Sequence, residues 1–168
     1  MAANSSDNSR DPQAGDQAPD FDLPTDTDTP ARLAAFSGQK VVLFFYPKDD
    51  TSGCTKEAIG FTENKAAFDD AETVVIGISA DSPKRHQKFR TKHNLDVILG
   101  SDEDKVVLEK YGVWVEKSMY GRKYMGIERS TFLIDSTGKI AQVWRKVKVP
   151  GHVEAVLLAS QGLGQDPL

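Results

Sequence analysis

Two unbroken apolar runs of strand length stand out in the first half of the chain, over residues 41–46 and 73–79. Runs of this kind are typical of strands that are covered on both faces. Between them, apolar side chains such as Phe61 and Phe68 recur at helical spacing among charged residues, which predicts an amphipathic helix over 55–70. This half of the sequence therefore predicts two buried strands joined by a helix.

Outside that region, shorter apolar segments alternate with polar turns. In chain order they predict an edge strand within 15–23, a helix over 82–93, a strand over 96–100, a helix over 102–111, a hairpin of 131–135 and 139–146, and a helix over 153–160. Ser82 and Pro83 form an N-cap and a first turn, and Gly112 marks a helix end. The alternation predicts an α/β fold in which helices flank a mixed central sheet.

The composition narrows the class of protein. A chain of 168 residues suits one domain; we place it at residues 14–168, because residues 1–13 lack an apolar period and predict a flexible N-terminal tail. The formal net charge of -4 argues against a general nucleic-acid binder. The sequence has no leader of the signal-peptide type and no apolar run near about 18 residues, so we expect a cytoplasmic protein without a membrane segment.

The one cysteine of the chain, Cys54, follows the first apolar run and a polar turn rich in Asp and Gly. A helix that begins here would place the sulfur at its N-terminus, where free N–H groups and the positive end of the dipole favour a thiolate. The alternative is a buried structural cysteine, which is also common. A single cysteine forms no internal disulfide, so nothing in the sequence calls for an oxidising compartment.

A specific motif surrounds this cysteine. Pro47, Thr51 and Cys54 form P-x-x-x-T-x-x-C within FYPKDDTSGCTKEA, and this segment resembles the peroxidatic motif of the Q-type peroxiredoxins, also called bacterioferritin comigratory proteins. A second segment over 119–135, which contains Arg129, is similar to the other signature of that subfamily. Together the similarities extend over nearly the whole chain.

The resemblance implies a thioredoxin-like fold with three layers, α/β/α, and a thiol-dependent peroxidase that serves in antioxidant defence. Such an enzyme reduces hydrogen peroxide and organic hydroperoxides to water or alcohols through a cysteine sulfenic acid. A non-catalytic thioredoxin-fold module for binding or redox sensing is the alternative, because fold does not determine function. A dithiol oxidoreductase is disfavoured, because that class needs Cys-x-x-Cys.

Peroxide reduction by a thiolate needs donors that hold both peroxide oxygens in line with the sulfur. Arg129 is the candidate cation, because a guanidinium stays charged and offers several donors, and the family match supports that role. Thr51 could bind peroxide and donate to the thiolate, or it could act only as a turn or cap residue. Pro47 would shape and shield the pocket, because its ring fixes φ, with Tyr46 packed beside it.

Other side chains near the motif have less specific expected roles. Gly53 is expected to shape the active-site turn. Glu57 is expected in the first helical turn, where a carboxylate suits the dipole, and the resemblance also suggests a place for it in the active-site hydrogen-bond network. Asp49 and Asp50 would oppose a nearby thiolate, so we expect both to face solvent.

The sequence predicts neither a metal site nor a bound cofactor. His86, His93 and His152 lie among charged or loop residues and form neither H-E-x-x-H nor a Cys/His cluster. No glycine-rich nucleotide loop appears either.

Two positions depart from the Q-type pattern. Many members carry a resolving cysteine five residues after the first, where this chain has Ile59, and Ser52 replaces the usual proline. The resemblance then implies a one-cysteine mechanism in which an external thiol, from thioredoxin, glutaredoxin or a small molecule, regenerates Cys54. We expect a monomer, with a weak dimer through the loops around the site as the alternative.

Overall fold

The computed structural model describes residues 11–163, which form nine strands and five α-helices. In chain order these are β1 Asp22–Leu23, β2 Ala31–Arg32, β3 Lys40–Phe45, α1 Ser52–Glu63, α2 Lys65–Asp70, β4 Thr73–Ser79, α3 Pro83–His93, β5 Ile98–Ser101, α4 Val106–Lys110, β6 Trp114–Met119, β7 Arg122–Ile127, β8 Ser130–Ile134, β9 Ile140–Trp144 and α5 His152–Gly162. A short 3₁₀ helix, Leu33–Phe36, follows β2.

The central sheet has five strands in the order β5-β4-β3-β8-β9. Strand β3 runs parallel to β4, and β4 runs parallel to β5. On its other side β3 pairs antiparallel with β8, which in turn forms an antiparallel hairpin with β9. The predicted mixed sheet and the predicted terminal hairpin are both confirmed.

Strand β3 supplies core residues to both faces of this sheet, because successive side chains of a strand point to opposite sides. Leu43 and Phe45 belong to the core cluster on the face that α4 covers. Val42 and Phe44 belong to the second cluster, on the face covered by α1, α2, α3 and α5. All four side chains are fully buried. The predicted arrangement of three layers is therefore confirmed.

Three predicted elements differ from the structure. The helix over 55–70 is two helices, because the Asn64 amide donates to the carbonyl of Gly60 at 2.8 Å and ends α1 there. The helix over 102–111 is shortened to α4, since the Asp102 carboxylate accepts from the N–H of Leu108 and Lys105 adopts a φ of 65°. The edge strand within 15–23 is β1, which pairs with β2 in a separate small sheet.

The sequence analysis missed the hairpin of β6 and β7, whose two strands pair only with each other. Tyr120 and Gly121 connect them, both at positive φ, as a two-residue turn of this kind requires. Four of its large hydrophobic side chains are exposed: Met119, Tyr120, Tyr124 and Met125. The hairpin thus projects from the body of the protein.

Most of the predicted tail, residues 1–10, lies outside the part of the chain that the structure describes. The carboxylate of Asp11 lies 3.5 Å from the Arg145 guanidinium, and the division into a tail and a domain stays a prediction. Between residues 11 and 163, none of the helices is both long and apolar enough to cross a membrane.

Candidate active site

Cys54 occupies the third position of α1, as its placement after a buried strand and a polar turn predicts. Thr51 precedes the helix with extended backbone, at φ -88° and ψ 158°. The Cys54 side chain is fully buried. Its sulfur therefore lies in the first helical turn, where unpaired N–H groups and the helix dipole favour negative charge.

A guanidinium faces the sulfur. Arg129 lies between β7 and β8, and its Nη2 donates to Cys54 Sγ at 3.4 Å. Its Nη1 donates to Glu57 Oε1 at 2.7 Å. Burial opposes the charged guanidinium, but the negative charges of Glu57 and Cys54 outweigh burial and raise the pKa of Arg129 above its usual value. The structure thus places Arg129 beside Cys54, where the sequence analysis expected a cation.

Glu57 lies deeper than expected. Because α1 begins at Ser52, Glu57 falls in its second turn instead of the first, and no acidic residue occupies the first turn. Its side chain is fully buried, and burial raises its pKa to about 7 although Arg129 acts in the opposite direction. The structure thus corrects the capping interpretation and places this carboxyl in the hydrogen-bond network behind Cys54.

His152 completes this network, and sequence reasoning did not find it. Its Nε2 lies 3.9 Å from Glu57 Oε2 and 2.8 Å from the Thr131 hydroxyl. Burial, together with the nearby positive charge of Arg129, lowers the pKa of His152 to about 4. The ring is buried and neutral at physiological pH, contrary to its interpretation as a loop residue.

Three residues of the motif segment lie in the turn before α1 or in the first turn of that helix. The Thr51 hydroxyl is exposed and donates to the carbonyl of Lys48 at 2.9 Å, so here it serves the turn. A Cβ on Gly53 would lie 3.0 Å from Arg129 Nη2, so any side chain there would press on the guanidinium. Pro47 is exposed at the start of the turn.

The aspartates of this turn have separate environments. Asp50 is exposed and pairs with Lys92 and His93. Asp49 is buried, which contradicts the solvent-facing prediction. It accepts from the Tyr46 hydroxyl at 2.6 Å and lies 2.7 Å from His86 Nδ1. The turn packs against α3, which supplies His86, and these two protein partners take the place of water around the Asp49 carboxylate.

Tyr46 belongs to the hydrogen-bond network around Asp49. Its pKa is raised well above its usual value by burial and by the charge of Asp49. Within the described part of the chain, ligand atoms of Asp49, Asp81 and His86 lie within 4.8 Å of one another. Each of them is already hydrogen-bonded inside the protein; Asp81, for example, accepts from the Ser79 hydroxyl at 2.8 Å. We interpret the group as a hydrogen-bond network that holds the turn.

An open groove of about 540 Å³ runs past Arg129, between α1 and the segment that precedes α5. Lys56 and Gly53 line its α1 side, and Val147 and Val149 line the other. The groove therefore combines apolar walls with the charged side chains of Lys56, Arg129 and Glu154, and of these Arg129 contacts the buried sulfur.

Known proteins share this arrangement of sequence and fold. Residues 14–143 match the AhpC/TSA family. A bcp-type peroxiredoxin of Coxiella burnetii is 54% identical over 86% of this chain and 96% of its own length, and the peroxiredoxin Bcp of Bacillus subtilis is 45% identical over 86% and 92%.

Solved structures agree with these sequence matches. A Xanthomonas campestris peroxiredoxin Q has a TM-score of 0.85 at 40% identity, covering 90% of this chain and 99% of its own. A Xylella fastidiosa PrxQ variant has a TM-score of 0.86 at 36% identity, covering 94% and 99%. The chain therefore belongs to the AhpC/TSA family and, within it, to the peroxiredoxins of the Bcp or Q type.

Proposed function

We propose that this protein reduces hydrogen peroxide and organic hydroperoxides, with Cys54 as the attacking thiolate and Arg129 as the residue that stabilises the reaction. The observation that carries the proposal is the 3.4 Å contact between Arg129 Nη2 and the buried Cys54 Sγ at the N-terminus of α1. A relative at 40% identity, the Xanthomonas campestris bacterioferritin comigratory protein, has been studied for alkyl peroxide reduction, which supports the substrate class.

The chemistry is an in-line displacement. The Cys54 thiolate attacks one peroxide oxygen, the O–O bond breaks, and the other oxygen leaves as hydroxide or alkoxide, which takes up a proton to form water or alcohol. Cys54 becomes a sulfenic acid. Donors that are already fixed around the developing negative charge lower the barrier, because they need not reorganise. Arg129 is suited to this task, because Glu57 holds its guanidinium through Nη1 and leaves Nη2 beside the sulfur.

Regeneration needs a thiol from outside the chain, because Cys54 is the sole cysteine in the sequence. An external thiol attacks the sulfenic sulfur and releases water, and a second thiol then splits the mixed disulfide and restores Cys54. We propose thioredoxin, glutaredoxin or a small thiol as the reductant. A cytoplasmic, monomeric protein stays our expectation.

The decisive experiment measures peroxide consumption with each reductant, alongside mass spectrometry of Cys54. Wild-type protein should turn over and pass through a sulfenic acid, and Cys54→Ser should do neither. Steady turnover by Cys54→Ser would reject the proposal. Single oxidation without turnover under every reductant would favour a redox-sensing module instead.

Arg129→Ala tests the role of the guanidinium. Loss of one preorganised donor to developing charge costs about 10²–10³ in rate, so oxidation of Cys54 should slow by that factor in a rapid-mixing experiment. Arg90→Ala is the matched control, because Arg90 is also partly buried but pairs with Asp26 instead of Cys54 or Glu57. Equal oxidation rates in the two variants would assign Arg129 to structure alone.

The oligomeric state and the route of regeneration can be measured together. Reduced protein should scatter light as a monomer at micromolar concentration. After one equivalent of peroxide without reductant, non-reducing electrophoresis should show mostly monomer, because the buried Cys54 sulfur of one chain does not readily reach that of another. A predominant dimer band that reductant removes would show instead that two chains resolve each other.

A further inference from the structure

One carboxylate oxygen behind Cys54 has no hydrogen-bond partner among the described residues. It is Glu57 Oε2, which is fully buried, whereas Oε1 accepts from Arg129. Buried polar atoms nearly always have a partner, so an unpaired oxygen here requires a physical cause. The nearest group that could donate to it is His152 Nε2, at 3.9 Å.

The His152 ring is held in place from several sides. Its Nε2 lies 2.8 Å from the Thr131 hydroxyl, and Phe61 and Trp144 meet the ring edge to face. The helix it begins packs tightly on α1, where a Cβ on Gly60 would lie 3.0 Å from Val153. The distance between this ring and Glu57 is therefore fixed by the packing of two helices.

The position of the ring proton follows from its surroundings. Two buried oxygens, Thr131 Oγ1 and Glu57 Oε2, converge on the same nitrogen of His152. A proton on Nε2 can donate to the Thr131 hydroxyl at 2.8 Å, and it leaves the positive end of the N–H dipole 3.9 Å from Glu57 Oε2. A proton on Nδ1 would leave a lone pair facing the Glu57 carboxylate, which is unfavourable in a buried site. We therefore assign the proton of the neutral ring to Nε2, by inference from the hydrogen-bond network.

We propose that His152 is a positioning residue of the peroxidatic site, which acts through Glu57: its Nε2–H keeps the Glu57 carboxylate ionised, and the ionised carboxylate holds Arg129 against Cys54. This role rests on the proposed peroxidase function for its kinetic consequence. Hydrogen bonds join Thr131 to His152, and others join Glu57 to Arg129 and Arg129 to the sulfur. The 3.9 Å approach of His152 Nε2 to Glu57 Oε2 connects the two sets electrostatically, without a hydrogen bond.

Few other charges act on the Glu57 carboxyl and its partner Arg129 within residues 11–163. Arg129 from the turn before β8 is the one charged partner that acts on Glu57. Lys117 from β6 interacts with Arg129 and Cys54, on the other side of the guanidinium. The charged influence on Glu57 among these residues therefore comes from Arg129, and the neutral His152 ring can act on the carboxylate only through its N–H dipole.

Removing the ring nitrogen should favour the neutral carboxyl. The carboxylate would then lose the N–H dipole that lies 3.9 Å from Oε2, and a buried charge in less favourable electrostatic surroundings takes up a proton more readily. A neutral carboxyl accepts a weaker hydrogen bond from Arg129 than a carboxylate does. Arg129 would then be less firmly held beside Cys54, and peroxide reduction would slow wherever Glu57 is neutral.

The test compares wild type with His152→Phe, which keeps a ring but has no nitrogen, from pH 6 to 9. Oxidation of Cys54 should be about fivefold slower in the variant at pH 7 and about ninefold slower at pH 6, as a rise of about one unit in the pKa of Glu57 would give. The two proteins should converge to within about twofold at pH 9, where both carboxyls are ionised. A loss of rate that is the same at every pH would overturn the proposal.

Two further readouts separate this role from a general loss of packing around the ring. A ¹³C NMR titration of the Glu57 carboxyl carbon should show its midpoint moving upward in His152→Phe, and an unmoved midpoint would also overturn the proposal. This titration needs no peroxidase activity, so it distinguishes failure of this inference from failure of the proposed function. Thr131→Val, which frees the ring, should shift the midpoint in the same direction and serves if His152→Phe does not fold.

The order of action is tested in a Glu57→Gln background. There His152→Phe should cause no additional pH-dependent change, because the amide cannot ionise. An unchanged pH-dependent effect would mean that His152 does not act through Glu57. His93→Phe is the matched control, since His93 pairs with the exposed Asp50 instead of Glu57, and its pH profile should equal that of wild type.

Discussion

The buried Glu57 carboxyl should make the folded state less stable as the pH rises. Its pKa of about 7 in the fold exceeds the ordinary 4.5, so between these values the folded state binds more protons than the unfolded state. Stability must then decrease with pH over this window. A shift of about 2.5 units corresponds to about 3 kcal/mol, all of which is lost above pH 7.

His152 contributes in the opposite direction. Its pKa falls from 6.5 to about 4 on folding, so the unfolded state binds more protons between these values and stability increases with pH. The magnitude is again about 3 kcal/mol. In wild type the two contributions therefore cancel between about pH 4.5 and 6.5, and each should become visible only when the other is removed.

Urea unfolding, followed by tryptophan fluorescence at several pH values, measures both contributions. Relative to wild type, Glu57→Gln should gain about 3 kcal/mol as the pH rises from 4.5 to 7, and His152→Phe should lose about 3 kcal/mol from pH 4 to 6.5. The other titrating groups are common to the proteins compared, and the expected rise in the pKa of Glu57 in His152→Phe acts mainly above about pH 6.5, outside the window used for that variant. A difference from wild type that stays constant with pH in either variant would refute the reasoning for that residue.

Two further predictions concern packing away from the sulfur. Gly77→Ala should cost about 1–3 kcal/mol in urea unfolding, because its Cβ would lie 2.6 Å from the Phe44 ring, whereas Gly162→Ala, which meets open space, should cost nothing. Asp49→Ala should cost about 1–3 kcal/mol, because it leaves His86 Nδ1 and the Tyr46 hydroxyl buried without their shared carboxylate partner. Adding His86→Leu should recover most of that loss, and a further loss would contradict a pairing role.

The sequence predicted those features of the site that depend on local signals. Cys54 lies at the start of α1 because an apolar strand, a polar turn and a helix-forming segment follow each other directly. The place of Arg129 beside it came from the resemblance to Q-type peroxiredoxins, since no periodicity connects residues 75 positions apart. Thr51 was left open between two roles, and its hydroxyl serves the turn here.

The features that the sequence did not predict depend on contacts between distant segments. His152 reaches Glu57 only because α5 packs against α1, and the amphipathic pattern of α5 gives no sign of that contact. Asp49 was assigned to solvent by its local composition, but His86, 37 positions away, offers a buried partner. In both cases one long-range hydrogen bond determines whether an ionisable group lies in water or in the core.

Asp49 and Asp50 attach the turn before α1 to α3. This attachment affects how many catalytic cycles the enzyme completes before Cys54 is over-oxidised. If the resolving thiol comes from another molecule, as proposed, α1 does not need to unwind to bring a second cysteine of the chain to Cys54. The sulfenic acid then stays in the pocket in which the first peroxide reacted. A second peroxide therefore competes there with the incoming thiol, and oxidation beyond the sulfenic acid is irreversible for most proteins. The mean number of catalytic cycles before inactivation equals the ratio of these two rates, so it rises in proportion to the thiol concentration.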